Sequence, residues 1–72
     1  ETDEILAAEL LQKGATGGHA PCMLLLGDCL RDGRGVPRDH VEATDWYRKA
    51  ARQRGDPDVA SAAKRRLAEL GE

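Results

Sequence analysis

The stretch Leu26-Gly27-Asp28-Cys29-Leu30-Arg31-Asp32-Gly33-Arg34-Gly35-Val36-Pro37-Arg38-Asp39, continued by Ala43-Thr44-Asp45-Trp46-Tyr47-Arg48-Lys49-Ala50-Ala51, decides the fold. It runs apolar at helical spacing, breaks at two glycines and a proline, and restarts behind an aspartate. Glycine supplies unusual backbone angles and proline cannot continue a helix, so Gly33 to Pro37 reads as a turn. Asp39 is placed to cap the next helix, with Glu42 three residues on in capping-box register. Ala43, Trp46, Tyr47, Ala50 and Ala51 then recur at i, i+3, i+4, i+7 and i+8, one face of a helix. Asp45, Arg48, Lys49, Arg52 and Gln53 fill the other face.

Upstream, a helix is expected from Ala20-Pro21 to about Asp32, with proline tolerated in its first turn. At about 100° per residue, Cys22, Met23, Leu25, Leu26, Cys29 and Leu30 cover more than half its circumference. A helix apolar nearly all round is buried by several neighbours, so this one reads as the central helix. Leu24 is left on the opposite side, among Asp28, Arg31 and Asp32. Before it, a helix capped by Asp3 or Thr2 runs through about Ala15, its inner face Ala7, Leu10, Leu11 and Ala15. Gly14, Gly17 and Gly18 mark its exit. After the aromatic helix, Gly55 marks a stop and Asp56-Pro57 opens a fourth helix to about Leu70, closed by Gly71. Ala60, Ala63, Leu67 and Leu70 share one side of it.

A shift of 36 residues lays the first helix on the third: Asp3 on Asp39, Ile5 on Val41, Ala7 on Ala43, Leu10 on Trp46, Leu11 on Tyr47, Lys13 on Lys49, Ala15 on Ala51. A self-match at this period signals helix pairs that bury their apolar faces by stacking on one another. The fold class is therefore all-α: about four helices in antiparallel pairs, forming an α-α superhelix. Residues 1–17 read as the second helix of a partial repeat, 18–55 as a full repeat, and 56–72 as a capping helix. In that last helix Lys64, Arg65 and Arg66 suit a solvent-facing end.

The run Ala20-x-Cys22-x-Leu24-x-Leu26-Gly27-x-Cys29-Leu30-x-x-Gly33-x-Gly35-Val36-x-x-Asp39-x-x-x-Ala43-x-x-Trp46-Tyr47-x-Lys49-Ala50-Ala51 resembles the Sel1-like repeat, a relative of the tetratricopeptide repeat. The match is strong over residues 18–55, partial over the first helix and weak at the end. Cys22 stands where that family usually has Ala, and Leu30 where it usually has Tyr; both keep a core residue. The resemblance implies an adaptor or scaffold built on an α-α superhelix. In mechanical terms Gly27 allows close helix approach, Gly33 and Gly35 make the turn, and Val36 plugs the space beneath it. Leu26, Asp39, Ala43, Trp46, Tyr47, Ala50 and Ala51 complete the repeat-making set. A buried Trp ring N–H needs a partner, which the sequence does not name.

Composition sets the limits. Seventy-two residues make one small domain, with one Trp, one Tyr and no Phe to build a core. Thirteen acids against eleven bases give no general grip on nucleic acid or an anionic membrane. The apolar runs are far too short to span a bilayer. No basic-then-apolar leader is visible, so no export signal is expected within these residues. The start without Met suits a processed or excised piece. Cys22 and Cys29 lie two helical turns, roughly 10 Å, apart, beyond the about 7 Å reach of a disulfide. They read as buried free thiols, which suits a reducing, cytoplasmic compartment.

Chemistry finds little purchase. His19-x-x-Cys22 with Cys29 lacks the paired spacing of a four-ligand zinc site. Gly33-Arg34-Gly35 lacks the strand and lysine of a phosphate loop. Asp28, Asp32 and Asp39 suit helix-surface and cap positions, and no nucleophile-base order appears around Ser61. No enzyme, metal or cofactor is expected. Lys64-Arg65-Arg66 with Arg52 and Arg54 is a solvated face or a dock for an acidic partner. What the repeat does not dictate is the stripe Leu24, Asp28, Arg31 and Asp32, helped by the polar face of the third helix. It is either covered by a neighbouring repeat or binds a protein or peptide. The remaining expectations are a purely structural capping role and self-association through the end faces.

Overall fold

The computed structural model describes residues 3–71 and contains four helices: α1, Asp3–Thr16; α2, Ala20–Asp32; α3, His40–Ala51; and α4, Pro57–Glu69. No strand occurs among the described residues. Each helix packs on the next, and α4 also reaches back to α2. The expected all-α architecture is what the chain adopts.

Local chemistry sets the boundaries. Asp39 and Asp56 cap α3 and α4, their carboxylates accepting from the backbone N–H of Glu42 at 3.0 Å and of Val59 at 3.1 Å. Each satisfies an orphan amide of a first turn, worth about 1 kcal/mol. Only half of the expected capping box forms at α3. The Asp39 N–H donates instead to the Leu30 carbonyl at 2.8 Å, tying the start of α3 back to the end of α2. Asp3 lies within α1 as its first described residue, which corrects its assignment as a cap; the competing Thr2 lies outside the described residues. Gly14 also lies inside α1 rather than at its exit. A Cβ there would strike the Cys22 sulfur, so its smallness serves the α1–α2 contact.

The turn after α2 is set by Gly33 and Gly35, at φ 73° and 74°. The Gly33 N–H closes α2 on the Cys29 carbonyl at 2.7 Å. Gly35 has a second constraint. A Cβ would meet the Glu4 carbonyl oxygen and lie 3.1 Å from the Ala8 Cβ, so the turn sits directly on α1. Val36 packs beneath it against the core, as expected.

The core runs through the middle of the chain: Ala15, Met23, Leu26, Leu30, Ala43, Tyr47, Ala50 and Ala63. Tyr47 and Leu26 are its largest fully enclosed side chains. Gly27 makes room for the tyrosine, because a Cβ on it would lie 2.6 Å from Tyr47 Cε1. Trp46 is half-buried rather than central, with the Lys49 ammonium 4.5 Å from its ring centre. Two expected core positions of α1 are not in the core. Ala7 and Leu10 are exposed, Leu10 at 60%, while Ala8, Leu11 and Ala15 turn inward. One flanking helix and the Gly35 turn rotate the contact stripe of α1 toward Ala8. The two cysteines are free and half-buried, less enclosed than expected.

Candidate interaction surface

Leu24, Asp28 and Arg31 recur at i, i+4 and i+7 along one stripe of α2, as the sequence implies. That stripe is largely covered at Leu24 and Asp28. Asp28 is only 7% exposed. Its Oδ1 accepts from the Tyr47 hydroxyl at 2.5 Å and from Arg66 Nε at 2.7 Å, with Arg31 Nη1 at 3.6 Å. A carboxylate taken from water needs such charged or hydrogen-bonding partners. Here they come from α2, α3 and α4 together. Leu24 is half-buried and packs against the core. The picture of a solvated stripe is thus corrected at Asp28 and Leu24: α4 covers that side.

Arg66 is corrected with them. It turns inward to Asp28, while Lys64 and Arg65 remain exposed, so the three bases do not form one surface. Lys64 shares a shallow groove with Arg52 and Arg54, beside Pro57 and Ser61.

Arg31 and Asp32 stay at the surface and engage each other. Arg31 donates through Nε to Oδ1 at 2.9 Å and through Nη2 to Oδ2 at 3.1 Å, and Arg34 Nη2 lies 3.3 Å from Asp32 Oδ2. The Arg31 hydrogen bond holds the exposed Asp32 carboxyl below its ordinary range. It also pushes the Arg31 guanidinium further above its usual value. The result is a polar rim at the C-terminal end of α2.

Beside this rim lies a groove that the sequence did not single out. Leu25, assigned by helical phase to the buried side, is 48% exposed. It borders a cavity of about 230 Å³ between α1 and α2, with Ala7, Leu11 and Cys29 as the other apolar walls. Glu4, Asp28 and Arg34 supply its polar edges. Burial raises the Cys29 thiol above its ordinary value, partly opposed by the Arg34 charge. The signal for this groove was the uninterrupted run Met23 to Leu26. Three or more consecutive apolar residues on a helix with neighbours on three sides leave one of them outside. A second depression, about 310 Å³, lies between α3 and α4, with His40, Asp45 and Arg48 beside Val41, Thr44 and Leu70. Its lining is more evenly divided between polar and apolar surface.

Other chemistry is sparse. His19 Nδ1 lies 3.0 Å from the Cys22 sulfur at the start of α2. Among the described residues no three His, Cys, Asp or Glu side chains are placed to share a metal ion, and no helix is long and apolar enough to cross a membrane.

The family model for the Sel1 repeat matches residues 1–19 and 20–54. No curated protein and no solved structure matches the chain.

Proposed function

The chain belongs to the Sel1 repeat family, and on that premise we propose that it is a non-catalytic adaptor module that holds a peptide of a partner protein in the α1–α2 groove. Sel1 repeats generally mediate protein–protein interaction and are typically non-catalytic. The observation that carries the finer reading is Leu25, half-exposed on the lip of an apolar groove whose edge bears Arg34. Small, mostly apolar concavities with a few placed polar groups are where side chains anchor. The groove takes one large apolar side chain. Arg34, Arg31 and Asp32 then read the residues flanking it, with Arg34 favouring an acidic neighbour. Of the stripe read from sequence, Arg31 and Asp32 keep a recognition role, whereas Leu24 and Asp28 support the fold.

A displayed peptide library, selected on the 72-residue chain, tests this. Selection should enrich peptides with one large apolar residue beside an acid. Leu25→Asp should weaken the selected peptides at least about tenfold, a loss of about 1.4 kcal/mol, with the helical circular dichroism unchanged. Peptides that bind the Leu25→Asp chain as well as the parent would sink the groove.

A second reading is favoured by α4. It buries one side, while Asp58, Ser61, Lys64, Arg65 and Ala68 stay exposed. This suits residues 56–72 as a capping helix that closes a stack and binds nothing itself.

A further inference from the structure

The two cysteines of this chain sit in different chemical settings. His19 occupies the N-cap position of α2, yet its side chain makes no capping hydrogen bond. The imidazole turns instead to the third residue of the helix, where Nδ1 lies 3.0 Å from the Cys22 sulfur. A nucleophile and a base therefore stand within hydrogen-bond reach of each other. The ring is exposed and the sulfur half-buried, so the pair opens on the surface at the α1–α2 contact.

The sulfur is fixed from its other side as well. A Cβ on Gly14 would strike it. Under the 36-residue shift Gly14 falls on Ala50, so α1 gives up a methyl group where α2 carries the sulfur. Cys29 is also half-buried, but neither histidine hydrogen-bonds to it. His40 meets Arg38 instead, its Nε2 accepting from Arg38 Nε at 3.3 Å.

We propose that Cys22 is a modification site whose thiol exchanges with low-molecular-weight disulfides, His19 taking the proton. The step needs the imidazole tautomer that carries its hydrogen on Nε2 and leaves Nδ1 free to accept. The thiol proton passes to Nδ1 as the Cys22 sulfur attacks one sulfur of the disulfide. A new S–S bond joins Cys22 to that half, the old S–S bond breaks, and the departing thiolate takes the proton from the ring. One thiol and one disulfide are consumed, and one of each is formed.

The surroundings suit this exchange. Cys22 lies in the first turn of α2, the end of a helix that favours negative charge, so charge building on the sulfur is supported. His19 also borders a shallow cavity of about 280 Å³, with Pro21, Gln53, Gly55 and Asp56, which has room for one half of a small disulfide. Cys29 lies two helical turns further on, beyond the reach of a disulfide to Cys22. It cannot displace the attached group, so the adduct persists until an external thiol removes it.

Oxidised glutathione added to the reduced 72-residue chain tests this, with intact mass and peptide mapping following each cysteine separately. Cys22 should acquire the adduct at least about tenfold faster than Cys29, and dithiothreitol should remove it. His19→Gln keeps a polar side chain at the position but cannot take the proton. It should slow Cys22 at least about tenfold and leave Cys29 unchanged. The substitution removes no capping bond, so helical circular dichroism should be retained. His19→Ala uncovers the sulfur and should slow it likewise. Variants in which Cys22 reacts as fast as in the parent, or faster, would show the ring to be a mere cover and overturn the proposal. So would a parent chain whose two cysteines react alike.

Discussion

Helices α1 and α3 carry the same residue pattern 36 positions apart and have opposite fates. Ala43 is fully buried and its counterpart Ala7 is exposed; Tyr47 is fully buried and Leu11 only half so. The apolar stripe is not what differs. Helix α3 stands between α2 and α4, whereas α1 has α2 alone and the Gly35 turn leaning on it. Periodicity states which residues of a helix can be buried. The number of neighbours decides which of them are.

The comparison can be broken by substitutions made in matched pairs. The largest difference should come from Tyr47→Ala against Leu11→Ala. Emptying the tyrosine site should cost about 3–5 kcal/mol, enough to unfold a domain whose single core supplies about that much. Removing the half-exposed leucine should cost about 1 kcal/mol by area. Urea titration followed by circular dichroism measures both, and equal losses would show α1 to be as enclosed as α3.

A smaller effect comes from enlarging the small residues. Ala43→Leu forces extra volume into a site with no exposure and should destabilise by about 1–3 kcal/mol. Ala7→Leu lies on the surface and should stay within about 0.5 kcal/mol of the parent. A costly Ala7→Leu would mean that Ala7 is more enclosed in solution than its exposure indicates.

The smallest effect is specific to α3. Tyr47→Phe removes the hydroxyl that donates to Asp28 but leaves Arg66 there, so about 1 kcal/mol is expected. It should also change the alkaline response. Burial first, and then the hydrogen bond to Asp28, raise the Tyr47 phenol above its ordinary value. The folded state therefore holds that proton where the unfolded chain has lost it. The resulting stability is whole below the unfolded value of about 10 and falls as the pH rises through it toward the folded one. Melting curves between about pH 8 and 11 should decline more steeply for the parent than for Tyr47→Phe.

The legible parts of the fold were those written in short-range chemistry. Asp39 and Asp56 announce their helices because a carboxylate beside a first turn has one job. Gly33, Gly35 and Pro37 announce the turn for an equally local reason. The candidate site was not local. On a helix as apolar as α2, phase alone could not say whether Leu24 or Leu25 faces outward. The deciding contact is Arg66 on Asp28, 38 residues away in the chain. A clue lay in Tyr47, whose hydroxyl must find a partner once the ring is buried, but the tryptophan beside it drew that question instead. Likewise nothing in the first helix's pattern tells Ala8, which is buried, from Ala7, which is exposed.

The Asp28 junction has a consequence for how the molecule comes apart. Stacked helical repeats behave as a one-dimensional chain in which each unit feels only its immediate neighbours, so that unfolding can begin at an end and proceed stepwise. The pair between Arg66 and Asp28 skips a helix. Peeling α4 away would strip a buried carboxylate of its closest cation, while Tyr47 loses the cover of the same helix. Fraying of the last helix is thereby coupled to the centre, and α2, α3 and α4 should open as one cooperative unit. Helix α1, tied by adjacency alone, is then the segment whose amides exchange with solvent first.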